Sequence, residues 1–304
     1  MRLATFEVQG QALLGAVVGS RVVDLAAAAR HAGGDPLPSD MLAFLDDAVA
    51  NLARARRLLA GADPSAGQPL DAVRLLAPIP RPRQNVLCVG RNYLEHIAEG
   101  ARTRGEAVQT PEHPAFFTKR ATAVIGPAAP IRWDAAVTAG LDWEAELAVV
   151  IGRPGKDIPP ERAYEYVFGY ACANDVSARD VQHKRHGGQW FRGKSLDDSC
   201  PLGPWIVTSD ELPNPHGLRI ACRVNGMLKQ DANTADMIFD IPTLIAELSA
   251  GLTPEPGDTL LTGTPSGVGY ARTPQEFLRP GDVVEVEVEG LGVLRNPVAA
   301  AERR

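Results

Sequence analysis

The sequence predicts an α+β protein whose β-rich part begins after about residue 80. Short apolar segments rich in β-branched residues recur along the chain, and Gly, Pro and Asn separate them. The clearest hairpin signal is Asn225-Gly226, which lies between two such segments. Helical spacing of apolar residues is confined to a few stretches, such as the one that follows Pro242. Strands therefore dominate the prediction.

The N-terminal region predicts a small sheet followed by a helix. Residues 1–24 contain three apolar segments separated by glycine-bearing turns, as in an antiparallel meander. Ser39-Asp40 can cap a helix whose apolar positions run from Leu42 to Leu59 and which ends at Gly61. This region carries no pattern that indicates chemistry.

A proline-rich stretch follows, and it marks the predicted domain boundary. A helix or a central strand would not tolerate so many prolines. We therefore predict a small N-terminal sheet-and-helix domain over residues 1–78 and a second domain over residues 79–304. The prolines are Pro64, Pro69, Pro78, Pro80 and Pro82.

Composition narrows the class of function. The chain has 304 residues, 45% of them apolar and 22% charged, with a net charge of -6 and a pI near 5.6. This balance excludes the basic surface that nucleic acids or anionic membranes require. The four cysteines form no C-x-x-C pair, and no apolar run resembles a signal peptide or a membrane span. We therefore expect a cytoplasmic protein that acts on a small molecule.

An acidic pair leads into the most strand-like segment of the chain. Glu144 and Glu146 precede and enter the apolar run Leu147 to Ile151, so an extended backbone points both carboxylates to one face. A second apolar strand, Val167 to Ala173, delivers Asp175 to its end. Three carboxylates without thiolate or imidazole suit Mg²⁺ or Mn²⁺. Taken alone, an E-x-E pattern is more typical of an exposed edge strand, so other motifs must decide.

A possible proton-transfer pair lies upstream. His96 and Glu99 are three residues apart in a short helical stretch, where the carboxylate can orient the imidazole. Most such pairs are surface features, but the polar segment up to Pro114 that follows could make this stretch a lid. Lys119 then ends a short strand in a chain that is poor in lysine.

Two later stretches have the composition of binding segments. Val176 to Lys194 mixes polar, histidine and aromatic residues around a Gly-Gly pair, which predicts a binding loop. Leu260 to Gly269 is a strand entering a glycine-rich loop that lacks the Gly-Lys-Ser/Thr end of a P-loop. Such a loop can bring backbone amides and Thr264 close to a small carboxylate.

Five motifs in one order resemble the fumarylacetoacetate hydrolase superfamily over residues 80–298. The resemblance implies a catalytic domain with a mixed β-roll, a homodimer, and a Mg²⁺ or Mn²⁺ site that Ca²⁺ could occupy in a crystal. It places the metal ligands at Glu144, Glu146 and Asp175. The motifs are GRNYLEHIAE, FFTK, LDWEAELAVVIG, ANDVSARDVQ with GKS after it, and LLTGTPSGVG.

The resemblance also implies roles for other residues. His96 and Glu99 match the lid dyad that activates water, and Lys194 matches the lysine that contacts substrate oxygens. The larger members that cleave fumarylacetoacetate have an extra aspartate ligand upstream of the lid histidine, and no aspartate stands there in this chain. This departure favours smaller keto acids. The residues that match or lie beside substrate-pocket positions are Lys119, Arg179, Gln182 and Thr264.

The predicted function is a metal-dependent hydrolase of aromatic catabolism that cleaves a C–C bond in a 2,4-dioxo acid of the acylpyruvate or fumarylpyruvate type. In this chemistry the cation and Lys194 stabilise an enolate. The same site could serve a 2-hydroxyhepta-2,4-diene-1,7-dioate isomerase or an oxaloacetate-type decarboxylase. A non-catalytic keto-acid-binding protein is a remote alternative, because a pure binder needs no dyad such as His96 and Glu99.

Overall fold

The computed structural model describes residues 1–61 and 67–302 and confirms the α+β class. The first strands are β1 (Arg2–Val8), β2 (Gln11–Val18), β3 (Arg21–Asp24), β4 (Gln68–Pro69), β5 (Arg74–Leu75), β6 (Val86–Gly90), β7 (Ala115–Lys119), β8 (Val124–Ile125), β9 (Ile131–Trp133) and β10 (Leu141–Asp142). The remaining strands are β11 (Ala145–Ile151), β12 (Val167–Asn174), β13 (Ser177–Ala178), β14 (Cys200–Thr208), β15 (Arg219–Val224), β16 (Met227–Asn233), β17 (Thr259–Leu261), β18 (Val283–Val288) and β19 (Gly292–Ala300). The α-helices are α1 (Leu25–His31), α2 (Met41–Leu45), α3 (Ala48–Ala60), α4 (Leu94–Arg104), α5 (Arg179–Lys184), α6 (Phe191–Lys194) and α7 (Ile241–Ser249).

One large sheet runs through most of the molecule, in the order β4-β3-β2-β1-β14-β12-β11-β17-β6-β7. The predicted N-terminal meander forms its first part, and it continues into the rest through antiparallel pairing of Leu3 with Ile206. The domain boundary at residue 78 stays a prediction. Pro64 of the proline-rich stretch lies outside the described residues.

A second sheet has the order β16-β15-β18-β19-β9. Its β15–β16 hairpin confirms the predicted turn, since Asn225 and Gly226 have φ angles of 53° and 75°, in the left-handed region that these residues tolerate. Strands β18 and β19 pair with each other within this second sheet. Buried apolar side chains such as Leu147 and Val286 pack the second sheet against β11 and β12.

The predicted helix between Leu42 and Leu59 is two helices, α2 and α3. The reason is that Asp40 and Asp47 each accept a hydrogen bond from the backbone amide three residues ahead, so each begins a new helix. Short α1, capped in the same way by Asp24, was not predicted. The expected binding loop from Val176 to Lys194 is largely helical, because α5 and α6 lie within it.

Three features of this fold position one site. Strand β11 lies in the middle of the large sheet between β12 and β17, so side chains along it are shielded from water. Strand β12 ends beside the start of β11, and α4 begins where β6 ends. Among the described residues, no helix is both long enough and apolar enough to cross a membrane.

Candidate active site

The three carboxylates predicted as metal ligands come together in the structure. Glu144 immediately precedes β11, Glu146 lies within it, and Asp175 directly follows β12. The Asp175 amide donates to the Glu144 carbonyl at 2.9 Å, which joins the two strand ends. All three side chains are buried, and one oxygen of each lies within 4.8 Å of the others. We call Glu144, Glu146 and Asp175 the carboxylate floor.

On its cavity side, the floor contacts Lys194 and Arg179. The Lys194 ammonium is 2.7 Å from Glu144 Oε2 and 2.6 Å from Asp175 Oδ2, and Arg179 Nη1 is 2.7 Å from Glu144 Oε1. Burial opposes ionisation of Glu144, but Lys194 and Arg179 outweigh it and hold the pKa of that carboxyl well below its usual range. Burial likewise opposes the charge on Lys194, yet Asp175 and Glu144 raise its pKa, so the ammonium stays protonated.

Glu146 is in a different electrostatic position. Its Oε2 accepts a hydrogen bond from the Gly263 amide at 2.7 Å, but no lysine or arginine lies within 4.0 Å of its carboxylate in the part of the chain described. Burial, together with the charges of Asp175 and Glu144, raises its pKa well above the usual value. A divalent cation bound at the floor would favour the ionised carboxylate and so lower the pKa of Glu146. The oxygen-only donor set therefore fits a hard cation, and this floor can hold a divalent metal.

Asp142 is a further buried charge that the sequence reasoning missed. Its Oδ2 is 2.7 Å from Arg179 Nε, and its carboxylate accepts hydrogen bonds from the amides of Gly269 and Tyr270. Asp142 thus orients Arg179 and fixes the loop at Gly269 and Tyr270, which lies at one side of the site. A signal was present, because an acidic residue stands at each alternate position 142, 144 and 146.

Lys119 was predicted to line the substrate pocket, but the structure places it elsewhere. Its side chain is fully buried, with the ammonium 2.8 Å from Asp175 Oδ1. It also donates to the carbonyls of Val176, at 3.0 Å, and Lys194. Lys119 is not among the residues that line the cavity described below. It lies on the inner side of Asp175 and compensates the charge of that carboxylate.

Helix α4, predicted to act as a lid and called the lid helix below, carries the predicted dyad. His96 Nδ1 is 2.8 Å from Glu99 Oε1, and Glu99 Oε2 accepts a hydrogen bond from the Gly267 amide at 2.8 Å. The Glu99 side chain is 10% exposed and that of His96 19%, so the carboxylate is held while the imidazole stays accessible. With Nδ1 bound to Glu99, the imidazole presents Nε2 to a second partner. The helix ends at Gly105, whose φ of 68° suits glycine.

A cavity of about 400 Å³ lies between the floor and the lid helix. Gln182 accepts a hydrogen bond from Arg179 Nη1 at 3.1 Å, which places two of the predicted pocket residues side by side. The Thr264 hydroxyl donates to the Ala145 carbonyl and accepts from Gln230, a buried residue that was not predicted. Residues from the floor, the lid and the two binding segments line the cavity, among them His96, Glu144, Glu146, Gln182, Lys194 and Thr264.

Comparison with known proteins places this chain in a family. The fumarylacetoacetate (FAA) hydrolase C-terminal model matches residues 85–299. The oxaloacetate tautomerase YisK of Bacillus subtilis (strain 168) is 40% identical over 306 residues, which cover 98% of this chain and all of YisK.

Two solved structures add to this. The 2-hydroxyhepta-2,4-diene-1,7-dioate isomerase from Mycobacterium marinum is 34% identical with a TM-score of 0.74, and the match covers all of both chains. The maleylpyruvate hydrolase from Sphingobium sp. SYK-6, in complex with manganese (II) ion and pyruvate, is 31% identical with a TM-score of 0.79. That match covers 99% of this chain and 100% of the hydrolase. As the five sequence motifs indicated, the chain belongs to the fumarylacetoacetate hydrolase family.

Proposed function

We propose that this protein is a divalent-cation-dependent tautomerase that interconverts the keto and enol forms of oxaloacetate. The observation that carries the proposal is the 40% identity to an oxaloacetate tautomerase over 98% of this chain. The hydrolase predicted from the sequence becomes the second candidate. The homodimer and the choice between Mg²⁺ and Mn²⁺ stay predictions.

The proposed reaction moves one proton. It leaves C3 of the 2-oxo acid, its bonding electrons form the C2–C3 double bond, and the oxygen on C2 gains a proton. A cation held by Glu144, Glu146 and Asp175 would act as a Lewis acid toward the 2-oxo acid. Lys194, kept protonated by its carboxylate neighbours, donates hydrogen bonds where negative charge develops on the substrate oxygen.

The lid supplies the proton carrier. His96 accepts the C3 proton, and Glu99 holds the imidazole in position and stabilises the positive charge that it gains. The Gly267 amide in turn fixes Glu99, so the dyad is tied to the loop that follows β17. The enzyme therefore needs no water in the reaction, because the histidine can return the proton to oxygen.

Hydrolysis of a 2,4-dioxo acid remains the second candidate, and one observation favours it. The His96–Glu99 pair at 2.8 Å is also suited to deprotonating a water molecule. The structural neighbour that binds manganese and pyruvate is named a maleylpyruvate hydrolase. The two candidates differ in what reaches His96: a substrate C–H in the first, and water in the second.

The test is a comparison of three reactions by one Mg²⁺-loaded preparation. Conversion of enol to keto oxaloacetate is followed by the loss of enol absorbance, acylpyruvate cleavage by the loss of the diketone, and decarboxylation by pyruvate formation. We expect tautomerisation to have the highest kcat/KM and to disappear after treatment with EDTA. Rates with Mg²⁺ alone are subtracted. Cleavage that is faster than tautomerisation would reverse the order of the two candidates.

A further inference from the structure

We infer that Arg91 forms a second anion subsite at the mouth of the cavity, which binds the carboxylate of the substrate farthest from its 2-oxo acid group. The substrate would then be a dicarboxylate. This inference rests on the proposed function only in placing the 2-oxo acid end at the carboxylate floor. It assigns the other end of the substrate to a residue that the proton transfer does not use.

The positive charges that line the cavity differ in whether the protein pairs them with a carboxylate. In the described part of the chain, the lysine and arginine side chains that line the cavity are Lys194, Arg179, Arg104 and Arg91. The first three each have a carboxylate of the protein within 2.7 Å. Arg91 is exposed and has no carboxylate within 4.0 Å among residues 1–61 and 67–302. It is therefore the cavity cation whose charge the protein leaves uncompensated.

The backbone at Arg91 supports a role for its side chain. Its φ of 58° lies in the left-handed region, which glycine and asparagine adopt more easily than arginine. The next residue is firmly held, because Asn92 donates to the carbonyls of Phe239 and Thr262 and accepts from the Phe239 amide. Arginine thus occupies a position where the backbone geometry favours a smaller residue.

An aromatic wall connects Arg91 to the carboxylate floor. The Arg91 guanidinium lies 5.7 Å from the centroid of the Trp190 ring, and that ring contacts Phe117 edge-on at 5.3 Å between centroids. The Lys194 ammonium lies 5.2 Å from the Phe117 ring. Gly90 leaves room for Trp190, since a Cβ there would fall 2.2 Å from the indole. A wall with cations at both ends suits a carbon chain between two carboxylates.

Charge balance points to the same substrate class. In and beside the floor, four buried carboxylates, all ionised as cation binding requires, accompany three buried cations, which leaves one net negative charge. The buried Glu99 belongs to the pair with His96 and is not counted. A divalent cation changes this to one net positive charge, and the carboxylate of a 2-oxo acid neutralises it. A second carboxylate then finds no countercharge on the floor, and Arg91 supplies one. The groups counted are Asp142, Glu144, Glu146, Asp175, Lys119, Arg179 and Lys194.

The test measures binding, using 2-hydroxy acids that do not tautomerise. Malate and 2-hydroxybutanoate share the group that would chelate the cation and differ in the distal carboxylate, and 2-hydroxyglutarate extends the chain by one carbon. Calorimetric titration of the Mn²⁺-loaded protein should show that at least one diacid binds about 10- to 100-fold more tightly than the monoacid. Oxalate, which has no distal group, serves as the reference ligand.

Three variants sharpen the measurement. Arg91→Asn removes the positive charge at a φ that asparagine tolerates, so the fold should be retained. The preference for the diacid should disappear, while the affinity for oxalate should stay within about 2-fold of the wild-type value. Arg91→Lys should keep part of the preference. Arg102→Gln removes an exposed arginine of α4 that does not line the cavity, and it should change neither affinity.

The outcomes separate this inference from the proposed function. Loss of the preference in Arg91→Asn supports the subsite even if the wild-type protein does not tautomerise oxaloacetate. An unchanged preference in Arg91→Asn, or no preference in the wild-type protein at either chain length, overturns the subsite even if tautomerisation is observed.

Discussion

The carboxylate floor and the lid helix α4 are built on opposite principles. The floor brings Asp175, at the end of β12, against Glu144 and Glu146 at the start of β11, and its charges are buried and bound by several partners. The pair His96 and Glu99 is local, three residues apart on one helix, and the Gly267 amide ties it to the loop that follows β17. Under the proposed function, cation binding and proton transfer would therefore lie on separable elements.

The largest expected loss of activity comes from removing one carboxylate of the floor. Glu146→Gln keeps the shape of the side chain but removes a charge that a divalent cation needs. We expect kcat/KM to fall by about 10³-fold or more and Mn²⁺ affinity to be lost in calorimetric titration, with the fold retained. The matched control is Glu161→Gln, at an exposed position, which should leave both unchanged. Full activity of a metal-stripped sample would contradict the role of the floor.

The next effect tests whether the lid is separable from the floor. His96→Ala removes the proton carrier, and a positioned general base typically contributes on the order of 10² to 10⁴ in rate. We expect tautomerisation and acylpyruvate cleavage to slow by that factor while Mn²⁺ affinity is unchanged. Decarboxylation of oxaloacetate should be affected far less, because it needs no proton abstraction by the lid. Equal losses in all three reactions would mean that His96 only positions the lid.

The smallest effect is on stability. Burial and the neighbouring carboxylates raise the pKa of Glu146. The folded cation-free protein therefore keeps the Glu146 carboxyl protonated at a pH where the unfolded chain has released that proton. Its stabilising contribution is complete below the ordinary carboxyl pKa and is lost as pH rises through the raised value. Urea unfolding of EDTA-treated protein should show this loss, at no more than about 1.4 kcal/mol per pH unit.

Two variants test whether Glu146 causes this dependence of unfolding free energy on pH. Glu146→Gln should flatten it, because the variant has no proton to lose at this position. His96→Ala should leave it unchanged, since the lid lies outside the floor. An equal slope in Glu146→Gln and in the wild-type protein would show that another group is responsible.

Features that depend on local sequence were predictable. The alternation of Glu144 and Glu146 fixes their common face, and the Asn225-Gly226 pair fixes a hairpin, because strand period and turn conformation are properties of adjacent residues. The spacing of His96 and Glu99 likewise determines their contact on a helix. The order of motifs then indicated the family, which no single motif could do.

Features that depend on tertiary contacts were not predictable. The prediction for Lys119 is an example. A lysine at the end of a strand can point into the cavity or toward Asp175 from the other side, and the packing of β7 against β6 and α6 decides between them. The break at Asp47 was missed because apolar spacing continued across it, although a capping residue was present.

Lys194 bridges Glu144 and Asp175, so the polypeptide carries its own tethered counter-ion. Folding can then be completed before any metal is captured, because this side chain already offsets part of the mutual repulsion of the buried acids. Loading of a divalent cation would then be an exchange between a bound ammonium and an incoming ion, and a measured metal affinity would include the work of moving that ammonium. The length and basicity of one side chain would thus set how readily the protein takes up its metal after synthesis.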